Sequence, residues 1–404
     1  SALLVNNASN NVAIGSEALD ANTTGTPNVA IGKAALGANT TGANNTAVGA
    51  YSLDAATTAD NNTAVGYAAL GANTTGTGNT AVGKNTMATI STGNYSTAVG
   101  AGALTSQTTS SDNTAVGYEA GLLITTGANN TAVGYAALDA TTTGQDNVAV
   151  GHTALGANTT ASNNVAIGYL AMRDNTTGTA NTGSGYGALA SNTTADNNTA
   201  FGFSALIATT TGPANTAVGK NAGESITTGA DNTCIGHSTD PSASGGAHQI
   251  VIGSSPHGTE DNQFTFGKTS NLVQNEFDTD ASWTRTSDVR KKRDIKDDTL
   301  GLEFINDLRT VTHKWKPSNE FPEEWNEYSE ENNMNLDAVM HGMIAQEVKE
   351  ALDNAGVDTF TGWKERPDGS QTLSREMFVM PLIKAVQELS AEVEELKSKM
   401  HDKC

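Results

Sequence analysis

Charge is scarce in the first part of this chain. Residues 1–253 carry 13 acidic and 4 basic side chains, leaving 30 acidic and 18 basic residues in 254–404 out of totals of 43 and 22. Cysteine occurs twice, at Cys234 and Cys404. Two cysteines build no disulfide framework, and neither stands at a ligand spacing, so no metal or cofactor is expected. Aromatic residues make up only 5% of the chain. No apolar run approaches the roughly 18 residues of a membrane span, and no secretory pattern opens the chain, so no membrane insertion is expected. The opening "SALLVNNASN" is already close to repeat sequence, as the trimmed end of something longer would be. A formal net charge of −21 argues against nucleic acid as a partner, since phosphate contacts need Lys and Arg. What is present in residues 1–253 is mostly Ala, Thr, Asn and Gly, a composition that stays disordered unless its order lies in a period.

The period is 17. Blocks such as "NNVAIG" and "NNTAVG" end in glycine at Gly15, Gly32, Gly49 and every seventeenth residue to Gly253, with no insertion or deletion. A short strand-length block, a turn and a second short block suit one coil of a parallel β-solenoid. One residue before the Gly stands an aliphatic (Ile14, Ile31, Val48), broken by Ser184 and Phe201, and four residues after it stands Leu19, Leu36, Leu53, with Gly121, Gly223 and Asp240 as exceptions. These two columns are expected inside the coil. The Ala column two residues before the Gly then falls on the other face of the strand, because strand side chains alternate. It forms a flat surface suited to another copy of the chain. Four residues before the Gly is Asn in 13 of 15 units, the others being Ser96 and Gln249. Equivalent positions stack roughly 4.8 Å apart, which predicts an Asn ladder. Thr stands nine residues after the Gly, inside "TTG" or "TTA" turns.

The "N-x-A-[VI]-G" core over residues 10–253 resembles the head repeats of YadA-type trimeric autotransporter adhesins, with a longer repeat here. The resemblance implies parallel β-rolls packed as trimers. Immediately after each Gly the residue varies freely, including Tyr67, Tyr118, Tyr135, His152, Tyr169, Tyr186 and Phe203. Variation predicts an outward column, either a stripe that stacks on sugars of a bacterial surface glycan or aromatics filling a groove between chains.

The C-terminal third reads differently. A β-rich neck over residues 254–287 leads into "RTSDVRKKRDI", where four basic residues follow a serine. Amphipathic pieces come next, and in the last of them Val379, Leu382, Val386, Leu389, Val393, Leu396 and Met400 alternate in steps of three and four. That is an a/d seam of a self-associating helix over about 379–400. Val at a with Leu at d favours two strands in isolated coiled coils. The blocks "SDVRKKRDI", "GLEFINDLRTVTHKWKP" and "HGMIAQEV", in this order before a terminal helix, resemble the endosialidase-type intramolecular chaperone domain of phage tail spikes and fibres. That resemblance implies a domain at 288–404 that forms a homotrimer, guides folding of the β-rich part and cuts itself off. It implies Ser287 as nucleophile, Lys292 as general base and Ser287–Asp288 as the scissile bond, in a self-cleaving serine peptidase that acts in cis and only once. A lysine at the ordinary pKa of about 10.4 is neutral in only about one molecule in 2,500 at pH 7. Burial or neighbouring positive charge would discharge Lys292. Arg290, Lys291 and Arg293 supply such charge, while Asp288 and Asp294 oppose it. His313 and His341 read as ordinary fold residues.

The expected fold is therefore mainly β: a trimeric parallel β-solenoid of 17-residue repeats (1–253), then a small α+β chaperone domain ending in a coiled-coil helix. The expected role is host attachment as a virion tail fibre or spike made in the host cytoplasm. The alternatives are a trimeric adhesin on the bacterial cell surface and a capsule-degrading spike. The solenoid's lack of recurring carboxylate pairs counts against the last.

Overall fold

A computed structural model describes residues 8–269, 271–276, 289, 292–323, 325, 328–332 and 336–401. The chain divides into two compact units, 1–286 and 287–404.

The first unit is a parallel β-solenoid of about 15 turns. Each turn contributes one short strand, from Val12–Ile14 to Ile250–Ser254, hydrogen-bonded to the strand 17 residues on: Val12 faces Val29, Thr80 faces Thr97 and Thr233 faces Ile250. Strands such as Thr131–Val133 begin and end with β-branched residues, which suit a pleated backbone. The repeat glycine stops them. Gly151 has φ 141°, and a Cβ there would lie 2.3 Å from the Gly168 carbonyl oxygen, so both the dihedral and the approach of the next coil demand glycine. Beyond the glycine two residues per coil take left-handed conformations, for example Ala136 (φ 49°) and Leu138 (φ 54°). Each such residue costs roughly 1–2 kcal/mol. The geometry turns their N–H groups in opposite directions: Ala136 donates to Tyr118 O in the coil before (3.0 Å), Leu138 to Ala154 O in the coil after (3.1 Å). The strain is held because the turn's backbone is paired above and below.

Inside and outside of the strand are reversed from the sequence expectation. The Ala column is buried (Ala30, Ala47, Ala149 and Ala200 at 0% exposure), while the aliphatic column points outward, with Ile14 at 59%, Ile167 at 43% and Val218 at 41%. The Leu column is interior as expected, with Leu36, Leu53 and Leu155 at 0%. The reason is the bore of the coil. Where Leu stands in the turn it reaches across to the strand and leaves space for a methyl group, and the larger Cys234 and Val251 enter the inner column only in the last coils, where Gly223 and Asp240 replace Leu. At Gly183, which replaces Ala in one coil, even an added Cβ would come within 3.0 Å of Met172 Cγ. The flat Ala face expected to receive another copy of the chain is thus inside the coil.

The exceptions in the Leu column are volume-compensated. Where Gly121 and Gly223 stand in for Leu, the residue three positions on becomes Ile124 and Ile226, both fully buried. A Cβ on Gly121 would lie 3.0 Å from Ile124 Cδ1 and one on Gly223 3.2 Å from Ile226 Cδ1.

The Asn ladder is present, buried throughout, and does more than bond amide to amide. Asn45 Oδ1 accepts the backbone N–H of Asn62 (3.0 Å), and Asn62 Oδ1 that of Asn79 (2.9 Å). Asn45 Nδ2 donates to Ala59 O (2.7 Å) and Asn62 Nδ2 to Gly76 O (2.9 Å), closing each coil onto the turn of the next. A second inner polar column, unrecognised in the sequence, lies seven residues after the Gly: Asn39 Nδ2 donates to Asn22 Oδ1 (2.9 Å) and Asn192 Nδ2 to Asn175 Oδ1 (2.7 Å).

The shaft ends where this regularity is altered. Gln249 takes the Asn position, and strand Gln263–Lys268 pairs parallel with Ile250–Ser254, then antiparallel with Asn271–Glu276. That hairpin covers the last parallel strand.

The second unit contains α1 (Leu302–Asp307), α2 (Ala345–Asn354) and α3 (Val379–His401), with two small antiparallel pairs, Val311–His313 on Met340–Gly342 and Trp363–Glu365 on Gln371–Leu373. Leu300, Phe304, Val348, Ala351, Leu352 and Phe378 form its core. Glu388 of α3 fixes α1 by accepting the Leu302 backbone N–H at 2.7 Å.

Candidate processing site and assembly surfaces

Ser287 and Asp288, the expected cleavage pair, lie outside the described residues, as do Arg290 and Lys291. Lys292 and Arg293 lie within them and both are exposed. The Lys292 backbone N–H donates to Val289 O at 3.0 Å, which bends the chain just after the expected cut. Arg293 approaches Asp294 at 3.8 Å with both side chains almost wholly in solvent. The burial expected of Lys292 is therefore absent in the single chain. His313 and His341 sit on adjoining strands, where Thr312 faces His341. His313 packs edge-on against Trp315, ring centroids 5.3 Å apart. Neither histidine is placed for a triad by these contacts.

Two surfaces stand out. One is α3. Its seam is a continuous helix, with Leu382 at 51%, Val386 at 58% and Leu396 at 60% exposure, while Pro381 and Ala385 face the unit's own core. The other is the column after the repeat glycines, outward as expected. Tyr118, Tyr135, His152, Tyr169, Tyr186 and Phe203 stack ring on ring, with centroids 4.9–5.5 Å apart and planes within 29°. Lys220 continues the column, its Nζ 6.0 Å from the Phe203 centroid. Sugars stack on ring faces, and here the faces are taken by neighbouring rings. The ladder offers edges and hydroxyls instead, which removes the main physical reason for expecting sugar stacking along it.

Burial pushes the Cys234 thiol up to about 12, so this cysteine, which replaces Ala in the inner strand column, is inert. Among the described residues no cluster of His, Cys, Asp or Glu could hold a metal ion, and no helix is long and apolar enough to cross a membrane.

The family model for the chaperone of endosialidase matches residues 287–357. No curated protein and no solved structure matches the chain. The match begins where the second compact unit begins. It takes in the basic run, α1 and α2, and ends before α3.

Proposed function

We propose that this chain is a tail-fibre or tail-spike-like host-attachment protein of a phage, whose C-terminal unit assembles three copies, sets the solenoid winding and then cuts itself away. The observation that carries this reading is a chaperone-of-endosialidase match that begins at residue 287, C-terminal to a β-solenoid of identical-length coils and its closing hairpin. A uniform solenoid needs such help. Coil n of one chain and coil n+1 of another carry nearly the same pattern, so a slipped pairing is not penalised by hydrophobicity alone. Parallel, non-local pairing is also slow and exposes unpaired strand edges. Aligning three C-terminal units through the apolar seam of α3 fixes one end before zippering begins.

For release, neutral Lys292 takes the proton from Ser287 Oγ, and the oxygen attacks the carbonyl carbon of a Ser287–Asp288 bond. The proton passes to the Asp288 nitrogen as the C–N bond breaks. Water then hydrolyses the resulting ester and restores the serine. Attack by Ser287 on its own carbonyl would close a four-membered ring, so the bond attacked belongs to a neighbouring chain, and cutting waits for assembly. Once the cap has left, the shaft persists by its unfolding barrier.

Denaturing electrophoresis of freshly expressed protein tests the reading. The wild type is expected to yield a C-terminal fragment of 117 residues (404 − 287). Ser287→Ala and Lys292→Ala are expected to stay whole, and unimpaired cutting of either would remove that residue from the mechanism.

A further inference from the structure

The strand's outer face has three columns: Thr or Val three residues before the repeat Gly (Ile250 in the last coil), Val or Ile one before (Ser184 and Phe201 in two coils), and the variable residue one after. None of the 13 acidic residues of 1–253 falls in any of them, although acidic residues outnumber basic ones 13 to 4 over that span. Over the central coils its exposed part is largely apolar: Val116, Ile167, Phe201 and Val218 stand at 39–49%, beside rings at 46–51%, while the charges in these columns are the exposed Lys33, Lys84 and Lys220. Fifteen coils spaced about 4.8 Å apart make the stripe roughly 70 Å long. At a width of roughly 10 Å it covers on the order of 700 Å², close to the ~800 Å² that each partner contributes to a standard interface. A monomer has no use for so long an apolar band.

We propose that this face is where further copies of the same chain dock along the shaft, and that the ring ladder from Tyr118 to Phe203 marks their register. The proposal rests on the trimeric reading above and names the surface it uses. The marking follows from the column's uneven filling. Six successive coils carry rings, the coil before them carries Ala101, and the coil after carries Lys220. In register, ring edges meet ring edges across the interface. A slip of one coil sets a ring against Ala101 at one end and brings Lys220 against a ring at the other. The aliphatic column repeats evenly except at Ser184 and Phe201, whereas the ladder changes character at both of its ends.

The test places p-benzoylphenylalanine at Val133, beside the ladder, and at Gln145 in an exposed turn, in the full chain with Ser287→Ala. After irradiation, peptide mapping locates the adducts. Val133 is expected to label another copy within its own coil, and Gln145 to give no inter-chain adduct. With Tyr135→Ser, Tyr169→Ser and Tyr186→Ser added, inter-chain adducts are expected to spread in steps of 17 residues. A molecule of trimeric mass without inter-chain adducts from Val133 overturns this interface and leaves the trimer standing. A single-chain mass removes the trimer reading itself. Adducts that stay in their own coil in the triple variant overturn the register role. If that same variant loses retention on immobilised bacterial polysaccharide, the ladder serves a glycan instead.

Discussion

In the shaft the largest interior side chain of most coils is one Leu or Met, with alanines and amides filling the rest. In the C-terminal unit three phenylalanines, Phe304, Phe360 and Phe378, meet with centroids 5.1–6.4 Å apart, beside Leu352 and Val348. The shaft buries little apolar volume per residue and relies on identical neighbours. Turn N–H groups alternate between a carbonyl three residues back (Asn39 to Leu36) and one in an adjacent coil (Leu36 to Ser52), and buried Asn amides link the coils. Its stability is a sum over coil–coil steps. The C-terminal unit has a compact mixed core and keeps its longest apolar surface, on α3, uncovered. Order in the shaft is thus propagated, and order in the terminal unit is nucleated. A propagating structure without its own start signal benefits from one placed at its end.

The contrast predicts that single-residue damage travels further in the shaft. The largest effect is expected at the glycine column. Gly151→Val sets a side chain against the Gly168 carbonyl at a φ of 141° and should cost roughly 3–5 kcal/mol. Circular dichroism melts would show the solenoid transition lowered and the C-terminal transition unmoved. A common shift of both would mean that the units do not unfold separately.

The compensated coils sharpen the same point. Ile124→Ala should cost roughly 2–5 kcal/mol by opening a cavity opposite Gly121, and Gly121→Leu alone should overpack against Leu104 and Ile124. The double change Gly121→Leu with Ile124→Asn restores the pairing of Leu19 with Asn22 and should recover most of the loss. A denaturant series on the wild type, Gly121→Leu, Ile124→Asn and the double variant measures the coupling, and additive costs would reject compensation.

A smaller effect separates the units by pH. In the shaft, burial raises the carboxyls of Asp54, Asp139 and Asp240, with Glu17 adding to the first and Glu119 to the second. The charged forms are penalised in the fold, so the shaft gains stability as pH falls through those raised values towards the ordinary Asp value. In the C-terminal unit the Leu302 N–H and then Lys384 lower Glu388, and Arg309 lowers Glu347. Their contributions are present above the ordinary Glu value and are lost as pH falls through the lowered ones. Melts between pH 7 and pH 4 should move the two transitions in opposite directions. Glu388→Gln should flatten only the C-terminal change.

Much of the solenoid was readable from spacing. Fifteen glycines at equal intervals, the interior Leu column and the Asn ladder all follow from position. The orientation of the strand was not readable. Alternation shows that Ala13 and Ile14 face opposite ways, and the usual preference for burying the larger apolar residue then chooses the wrong one. The choice fails because the turn Leu fills the bore and leaves the strand room for little more than a methyl in most coils. Gly121 looked like an interruption until Ile124 was seen filling the same space. Of the processing site, Ser287 and Asp288 lie outside the described residues, and Lys292 is exposed rather than buried. The electrostatics expected of the basic run depend on neighbouring chains, which one chain's sequence does not position.

The most direct test is the solution mass of the full chain with Ser287→Ala, by sedimentation equilibrium at low concentration. The account predicts three times the 41.4 kDa of one chain. A mass of 41.4 kDa, with the solenoid nonetheless folded by circular dichroism, would contradict it.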